Sequence, residues 1–400
     1  MAEGTVRIDG TTLHLPGGVR VRFIRTLRLP EQGTHQLPPG LGDFPIRRVE
    51  DYPHTTSAEM RARGGVMLPV YLREAMWLHF GGSTEPAALQ VGVGKVCAVS
   101  GKPWTGALAR EPQNYVVLPR QPWLDGINSG KGTVRQFVAV PLGLGATVEG
   151  QVTGEEVFGG VQLQSFPLND KQLAVWREEE RLRAEAERGL GGLATTTLYG
   201  GGTGPVPMPP PGAVPMPPPS TGAPLPPAPG GAPMPAAPGG GPAAPGGAYP
   251  TAAPMAAYGA APARSAPAAP SRAPAAMGLG VGGSMRQEVY RDTWPRGSWA
   301  RRPAGRVFVH LVTPPEWRRI TGEAPPPSPV DRAAYTRAGL PWFEYYDNDA
   351  HDLDPADTLG AVKPVGDWLG DDLDPWQAPA PGQVKPLGDA PGKPVQDGDW

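Results

Sequence analysis

The 400-residue chain has a single cysteine, Cys97. That excludes an intrachain disulfide and any multi-cysteine zinc site. Cys97 lies in the apolar run Lys95-Val96-Cys97-Ala98-Val99, where an inert core thiol is expected rather than a nucleophile. Charge of one sign is also missing. With 36 basic and 38 acidic residues the net charge is −2, so no overall field draws the chain to nucleic acid or to an anionic membrane. No run of about 18 apolar residues occurs, and no transmembrane helix is expected. Met1-Ala2-Glu3-Gly4 lacks the basic start and apolar core of a signal peptide. The expectation is a soluble cytoplasmic protein with neither a membrane nor a nucleic-acid partner.

Recognisable catalytic patterns are absent too. The six histidines, His14, His35, His54, His79, His310 and His351, show no H-E-x-x-H pair or metal-ligand spacing. There is no G-x-S-x-G elbow. Gly101-Lys102 and Gly130-Lys131 both fail the P-loop spacing. Asp347-Asn348-Asp349-Ala350-His351-Asp352 resembles a cation loop, but Asp352 and Thr358 stand where an EF-hand needs Gly and Glu. The run Gly278-Leu279-Gly280-Val281-Gly282-Gly283 matches G-x-G-x-x-G. It follows an Ala/Pro stretch rather than a strand, so no dinucleotide site is expected. No metal and no cofactor are expected.

Glycine and proline are present in excess, at 56 and 55 residues. Most fall in a central stretch and in the C-terminal tail. Setting those aside leaves roughly 260 residues, enough for two small cores. The fold class expected is mostly β with some α. A β-rich sandwich or barrel-like domain over 1–190 ends in a charged helix. A disordered Pro/Gly/Ala-rich linker spans 191–284, a small α+β segment 285–370, and a disordered tail 371–400.

In the first domain, Val6-Arg7-Ile8-Asp9-Gly10 and Thr12-Leu13-His14-Leu15 alternate around an Asp-Gly turn, a hairpin signal. Val19, Val21 and Phe23 continue the alternation. Further strands are expected at 66–72, 89–93, 95–99, 134–140, 147–152 and 161–166. The stretch 125–132 reads as a long polar hairpin turn. From Asp170 to Arg188 a helix is expected, capped by Asn169 or Asp170. Its opposite charges, such as Glu179 and Arg183, give modest i, i+4 support.

From Gly189 charge almost vanishes, and Val206-Pro207-Met208-Pro209-Pro210-Pro211 recurs as Val214-Pro215-Met216-Pro217-Pro218-Pro219. Proline favours polyproline II there, and the flanking Gly and Ala cannot bury enough surface to offset ordering. Order is expected again near Met285. A strand follows over 306–312, then helices opening at Pro314 and near Val330, and an aromatic stretch from Trp342 to Tyr346. A Lys-Pro-apolar-Gly-Asp phrase at 363–367 recurs in the tail at 385–389.

The runs Trp123-Leu124-Asp125-Gly126-Ile127-Asn128, Val134-Arg135-Gln136-Phe137-Val138-Ala139-Val140, Met285-Arg286-Gln287-Glu288-Val289-Tyr290 and Ala338-Gly339-Leu340-Pro341-Trp342-Phe343 resemble an uncharacterised microbial protein family. The resemblance brings no activity with it and implies only that the two segments belong together. Two functions are weighed. One is a non-enzymatic interaction or assembly protein with a protein partner, for which Trp376 and Trp400 in the tail are candidate anchors. The other is an enzyme or small-ligand protein with its site between the segments. Its candidate contacts are Asp125, Asn128, Lys131, Arg135, His310 and Asp347.

Overall fold

The computed structural model describes residues 5–199, 276–329, 332–344, 352–354, 356–369 and 378–387. The alternating N-terminus forms a meander. Arg7–Asp9 pairs with Thr12–Leu15, which pairs with Val19–Thr26. The turn needs a left-handed residue, and Gly10 supplies it at φ 57° without a Cβ clash. Leu13, Leu15, Val19, Val21 and Phe23 all fall on the buried side.

Two runs of strands grow from this start. In the first, Val19–Thr26 pairs with Ala75–His79, which meets Thr133–Pro141, which pairs with Ala276–Arg286. In the second, Ala87–Val93, Val161–Pro167 and Gly305–Val312 are antiparallel neighbours, and Val66–Pro69 adds in parallel. The runs join where Ala276 and Met277 pair with Val312 and Leu311. Among the described residues seventeen strands share this hydrogen-bonded network. Phe23, Leu78, Phe137, Leu163, Leu279 and Val309, drawn from both runs, share one buried apolar cluster. The fold is mostly β with some α, and its sheet takes strands from both ends of the chain.

Several expectations need correction. Residues 276–284, assigned above to the linker, are strand. Their glycines serve packing rather than disorder. A Cβ on Gly280 would lie 2.7 Å from the Ala146 carbonyl oxygen, and one on Gly283 only 1.9 Å from that of Pro30. The G-x-G-x-x-G match therefore lies within a sheet and precedes no helix. The strand expected over 147–152 is a helix, Val148–Thr153. Thr147 caps it by accepting from the Gly150 N–H, and Gly154 closes it in the left-handed region. The tail is not wholly unstructured, since Val384–Pro386 pairs in parallel with Trp342–Glu344. Residues 191–199, also assigned to the linker, continue the helix Asp170–Tyr199, and the stretch from 200 to 275 lies outside the described residues.

Two helices show what the local sequence does. Pro314–Thr321 buries Trp317 and Ile320 against Met67 and Val312. Burying the Ile320 side chain contributes about 2 kcal/mol. By contrast, Asp170–Tyr199 buries none of its side chains over 170–188. Its root is fixed by Asn169, whose Oδ1 accepts from the Gln172 N–H at 2.9 Å. Arg183 pairs with Glu180 rather than with Glu179, and Arg181 bridges Glu178 and Glu185. Such exposed pairs add only tenths of a kcal/mol each.

Candidate functional site

Three of the candidate residues hold the chain to itself. The stretch around 125–132 is not a long turn. Gly126–Gly130 is a strand paired with Thr133–Pro141. Asp125 is buried, its N–H donating to Gln287 Oε1 at 2.9 Å and its Oδ2 accepting from Gln287 Nε2 at 2.7 Å. Burial pushes its carboxyl from an ordinary 3.8 up to about 7. Asn128 is buried with Nδ2 at 3.5 Å from the carbonyls of Val99 and Asp354. Arg135 donates to the Val362 carbonyl. Lys131 is exposed at the hairpin tip. Beside it, the Gly132 N–H donates to Asp352, whose other oxygen accepts from the Val289 N–H at 3.1 Å. The hairpin is thus where Asp352, Asp354 and Val362 are fastened.

His310 lies on the other run of strands. Its Nε2 is 2.9 Å from the Gly64 carbonyl, an acceptor only, so that nitrogen carries the proton. Burial lowers its pKa to about 4. Asp347, Trp376 and Trp400 lie outside the described residues. Cys97 is buried, and burial raises its thiol, as befits a core residue.

A different group of residues forms a site. On the strand Val161–Pro167, Gln164 stands opposite Gln90 on one neighbour and Arg306 on the other. Two residues earlier, Gln162 stands between Gly92 and Phe308. Residues two apart in a strand share a face. Two cross-strand rungs, Gln90–Gln164–Arg306 and Gly92–Gln162–Phe308, therefore lie side by side. The alternate residues Val91, Leu163 and Val307 belong to the core beneath.

Above these rungs is a cleft of about 550 Å³, lined by Gln162, Gln164, Trp104, Arg48, Arg306 and Phe308 among others. Trp104 forms one wall. A Cβ on Gly92 would come within 2.6 Å of the Trp104 ring, so glycine is what lets the indole lie on the sheet. At the far end Arg63 stacks on Phe158 and Phe308, 4.7 and 5.4 Å from their ring centres. Its guanidinium is taken up by the carbonyls of Val157 and Phe158 and by Glu59. Arg306 is different, being exposed and entering no ion pair among the described residues. Arg48 is only loosely held, 3.8 Å from Glu50.

The strands beneath the cleft carry unmatched acceptors that are closed to solvent; Gln162 and Gln164 line the cleft and Gln90 does not. The Oε1 atoms of Gln90, Gln162 and Gln164 have no hydrogen-bond donor. Gln90 is 1 % and Gln164 7 % exposed. The other ends of two of these amides are occupied, with Gln90 Nε2 donating to Ala107 and Gln162 Nε2 to Gly159. Leaving a buried amide oxygen unpaired costs about 1–3 kcal/mol, so three on one face require an explanation.

A second cleft of about 490 Å³ is lined by Tyr115, Asp292 and Trp299. There the polar groups are already matched. Asp292 accepts from the Tyr115 hydroxyl at 2.5 Å and from Trp299 Nε1 at 2.9 Å. The buried phenol is pushed well above its usual range by burial and by that carboxylate. These contacts act as a lock between the two segments.

Comparisons with protein-family models, with curated proteins and with solved structures give no match to this chain. That outcome agrees with a family that has no assigned activity. Among the described residues no helix is long and apolar enough to cross a membrane.

Proposed function

We propose that the protein is a non-enzymatic binding protein that holds a polar ligand in the cleft between its two sequence segments. The observation that carries this is a cleft built jointly by Val161–Pro167 and Gly305–Val312, where Gln162 and Gln164, the Trp104 indole and Arg306, in no ion pair among the described residues, come together. The polar side chains lining it include the amides of Gln162 and Gln164, the guanidiniums of Arg48, Arg63 and Arg306, and one carboxylate, Glu50, 3.8 Å from Arg48. Amides and guanidiniums hydrogen-bond and orient a ligand, but they do not exchange protons near neutral pH. This takes up the small-ligand alternative weighed from the sequence, a site between the two segments, with other residues lining it; the tail tryptophans of the protein-partner reading lie outside the described residues.

Hydrogen exchange on the full chain with oligosaccharides, mononucleotides and short peptides tests this. At least one class is expected to slow exchange at 161–167 and 305–312, and Gln164→Leu is expected to abolish that protection. No protection at these strands with any class, or protection that Gln164→Leu leaves intact, would contradict the reading.

A further inference from the structure

We propose that the N-terminal meander carries a second binding site, which takes a phosphate monoester group. Its side chains do not line the cleft described above, so the two readings stand or fall separately. The site begins with register. Arg7 stands directly opposite His14, and His14 directly opposite Arg20, on three adjacent strands. Directly opposite residues share a face of the sheet, so the three basic side chains form one row. They line a surface depression of about 590 Å³ beside the hairpin turn at Pro16, Gly17 and Gly18. Arg7 and Arg20 are exposed, and His14 is half-buried.

Gathering basic groups on neighbouring strands with no acid between them works against the sheet. Among the described residues the side chains of Arg7, His14 and Arg20 enter no hydrogen bond or ion pair. No carboxylate lines the depression. Glu85 packs against Gly18, but Arg177 takes its carboxylate at 2.6 Å. The next rung on the same face is different. There Arg22, opposite Thr12 and His79, is answered by Asp43 at 3.2 Å, and Asp9 stands opposite Thr12. The chain thus matches one arginine internally and leaves the Arg7–His14–Arg20 row open to an anion from outside.

The donors around the row fit a tetrahedral anion. Arg20 reaches over the turn at Gly82, where a Cβ would lie 3.2 Å from its Nη1. That turn is tied to the hairpin, the Arg20 N–H donating to Ser83 Oγ at 3.1 Å and the Thr84 N–H to the Gly18 carbonyl at 3.2 Å. The Thr84 hydroxyl is thereby set against Gly18, where a Cβ would come within 2.7 Å of it. It lines the depression with the row and has no partner among the described residues. Two guanidiniums, an imidazole and a hydroxyl therefore offer donors from separate sides. A phosphate monoester brings three acceptor oxygens and a charge of about −1.5 to −2 to share among them. A carboxylate brings two oxygens and a single charge, which one guanidinium satisfies.

The ring protons of His14, assigned by the loss of their signals in His14→Gln, report binding in NMR titrations of the full chain at constant ionic strength. Inorganic phosphate and glycerol 3-phosphate are each expected to move them with a Kd of about 1 mM, and acetate to need at least about tenfold more. Arg7→Gln and Arg20→Gln change exposed side chains, so the fold survives, and each is expected to weaken phosphate at least about fivefold. Arg302→Gln, at an exposed arginine outside the depression, is expected to leave phosphate binding unchanged. Sedimentation with phosphatidylcholine vesicles containing phosphatidate identifies what bears the group. Capture that Arg20→Gln abolishes places it on a lipid, and no capture beside binding of glycerol 3-phosphate places it on a soluble ester. The proposal would be overturned by no movement of His14 with phosphate, or by acetate as effective as phosphate. Binding that survives both Arg7→Gln and Arg20→Gln, or that Arg302→Gln weakens as much as they do, would overturn it equally.

Discussion

Asp125→Asn is expected to stabilise the protein by about 3–4 kcal/mol at about pH 8 and to change it little at about pH 4. The carboxyl enters no ion pair among the described residues; Gln287 and the Trp123 side chain hydrogen-bond it, and the solvation its charged form loses on folding outweighs them. Burial holds its pKa at about 7, against an ordinary 3.8. The folded state therefore keeps a proton that the unfolded chain releases. Below about 3.8 both states are protonated and no penalty exists. Between that value and about 7 stability falls as pH rises, at about 1.4 kcal/mol per pH unit, and above 7 the penalty is complete. Asparagine keeps the acceptor for Gln287 and removes the ionisation. Urea denaturation of both proteins at the two pH values measures the effect. An equal difference at both would mean that Asp125 is not neutral in the folded protein at low pH.

Glu74→Ala is expected to destabilise by about 3–5 kcal/mol, because it leaves a buried guanidinium uncompensated. Glu74 and Arg25 are 2 % and 8 % exposed and meet at 2.5 Å. The other Glu74 oxygen accepts from the Tyr71 N–H at 2.8 Å, and Arg25 also donates to the Pro327 carbonyl at 2.6 Å. Burial raises the Glu74 carboxyl, while the Tyr71 N–H and Arg25 pull it back. One substitution thus breaks the pair and frees the guanidinium that holds the Pro327 carbonyl. The double variant Arg25→Met, Glu74→Leu removes both charges and is expected to recover most of the loss. If the double variant is as unstable as the single, the defect lies in packing rather than in the stranded charge.

Strands whose side chains alternate were legible from the sequence. Val19, Val21 and Phe23 read as one face of a strand, and they form one. Where a residue's conformation depends on distant chain, reading failed. Thr147-Val148 suggested a strand because β-branched residues favour it, yet the Thr147 hydroxyl caps a helix. Glycines from 278 to 283 suggested a linker because nothing local says that Ala146 and Pro30 press against them. Asp125 and Asn128 were picked out as polar residues in a flexible turn, but they are buried because their partners lie at 287 and 354. The cleft shows the same limit. Val-Gln-Leu-Gln alternation places Gln162 and Gln164 on one face, and that much was readable. That Gln90, Arg306 and Phe308 stand beside them follows from register between strands more than seventy residues apart, which no local pattern encodes.

Native-state hydrogen exchange on the full chain is the most direct measurement, because the cleft floor exists only if the strand Gly305–Val312 is part of the same body as Val161–Pro167. Amides of 277–286 and 305–312 are expected to exchange with the same opening free energy as those of 133–141 and 161–167. Rapid exchange at 277–286 and 305–312 while 133–141 and 161–167 remain protected would contradict a shared sheet, and with it the cleft.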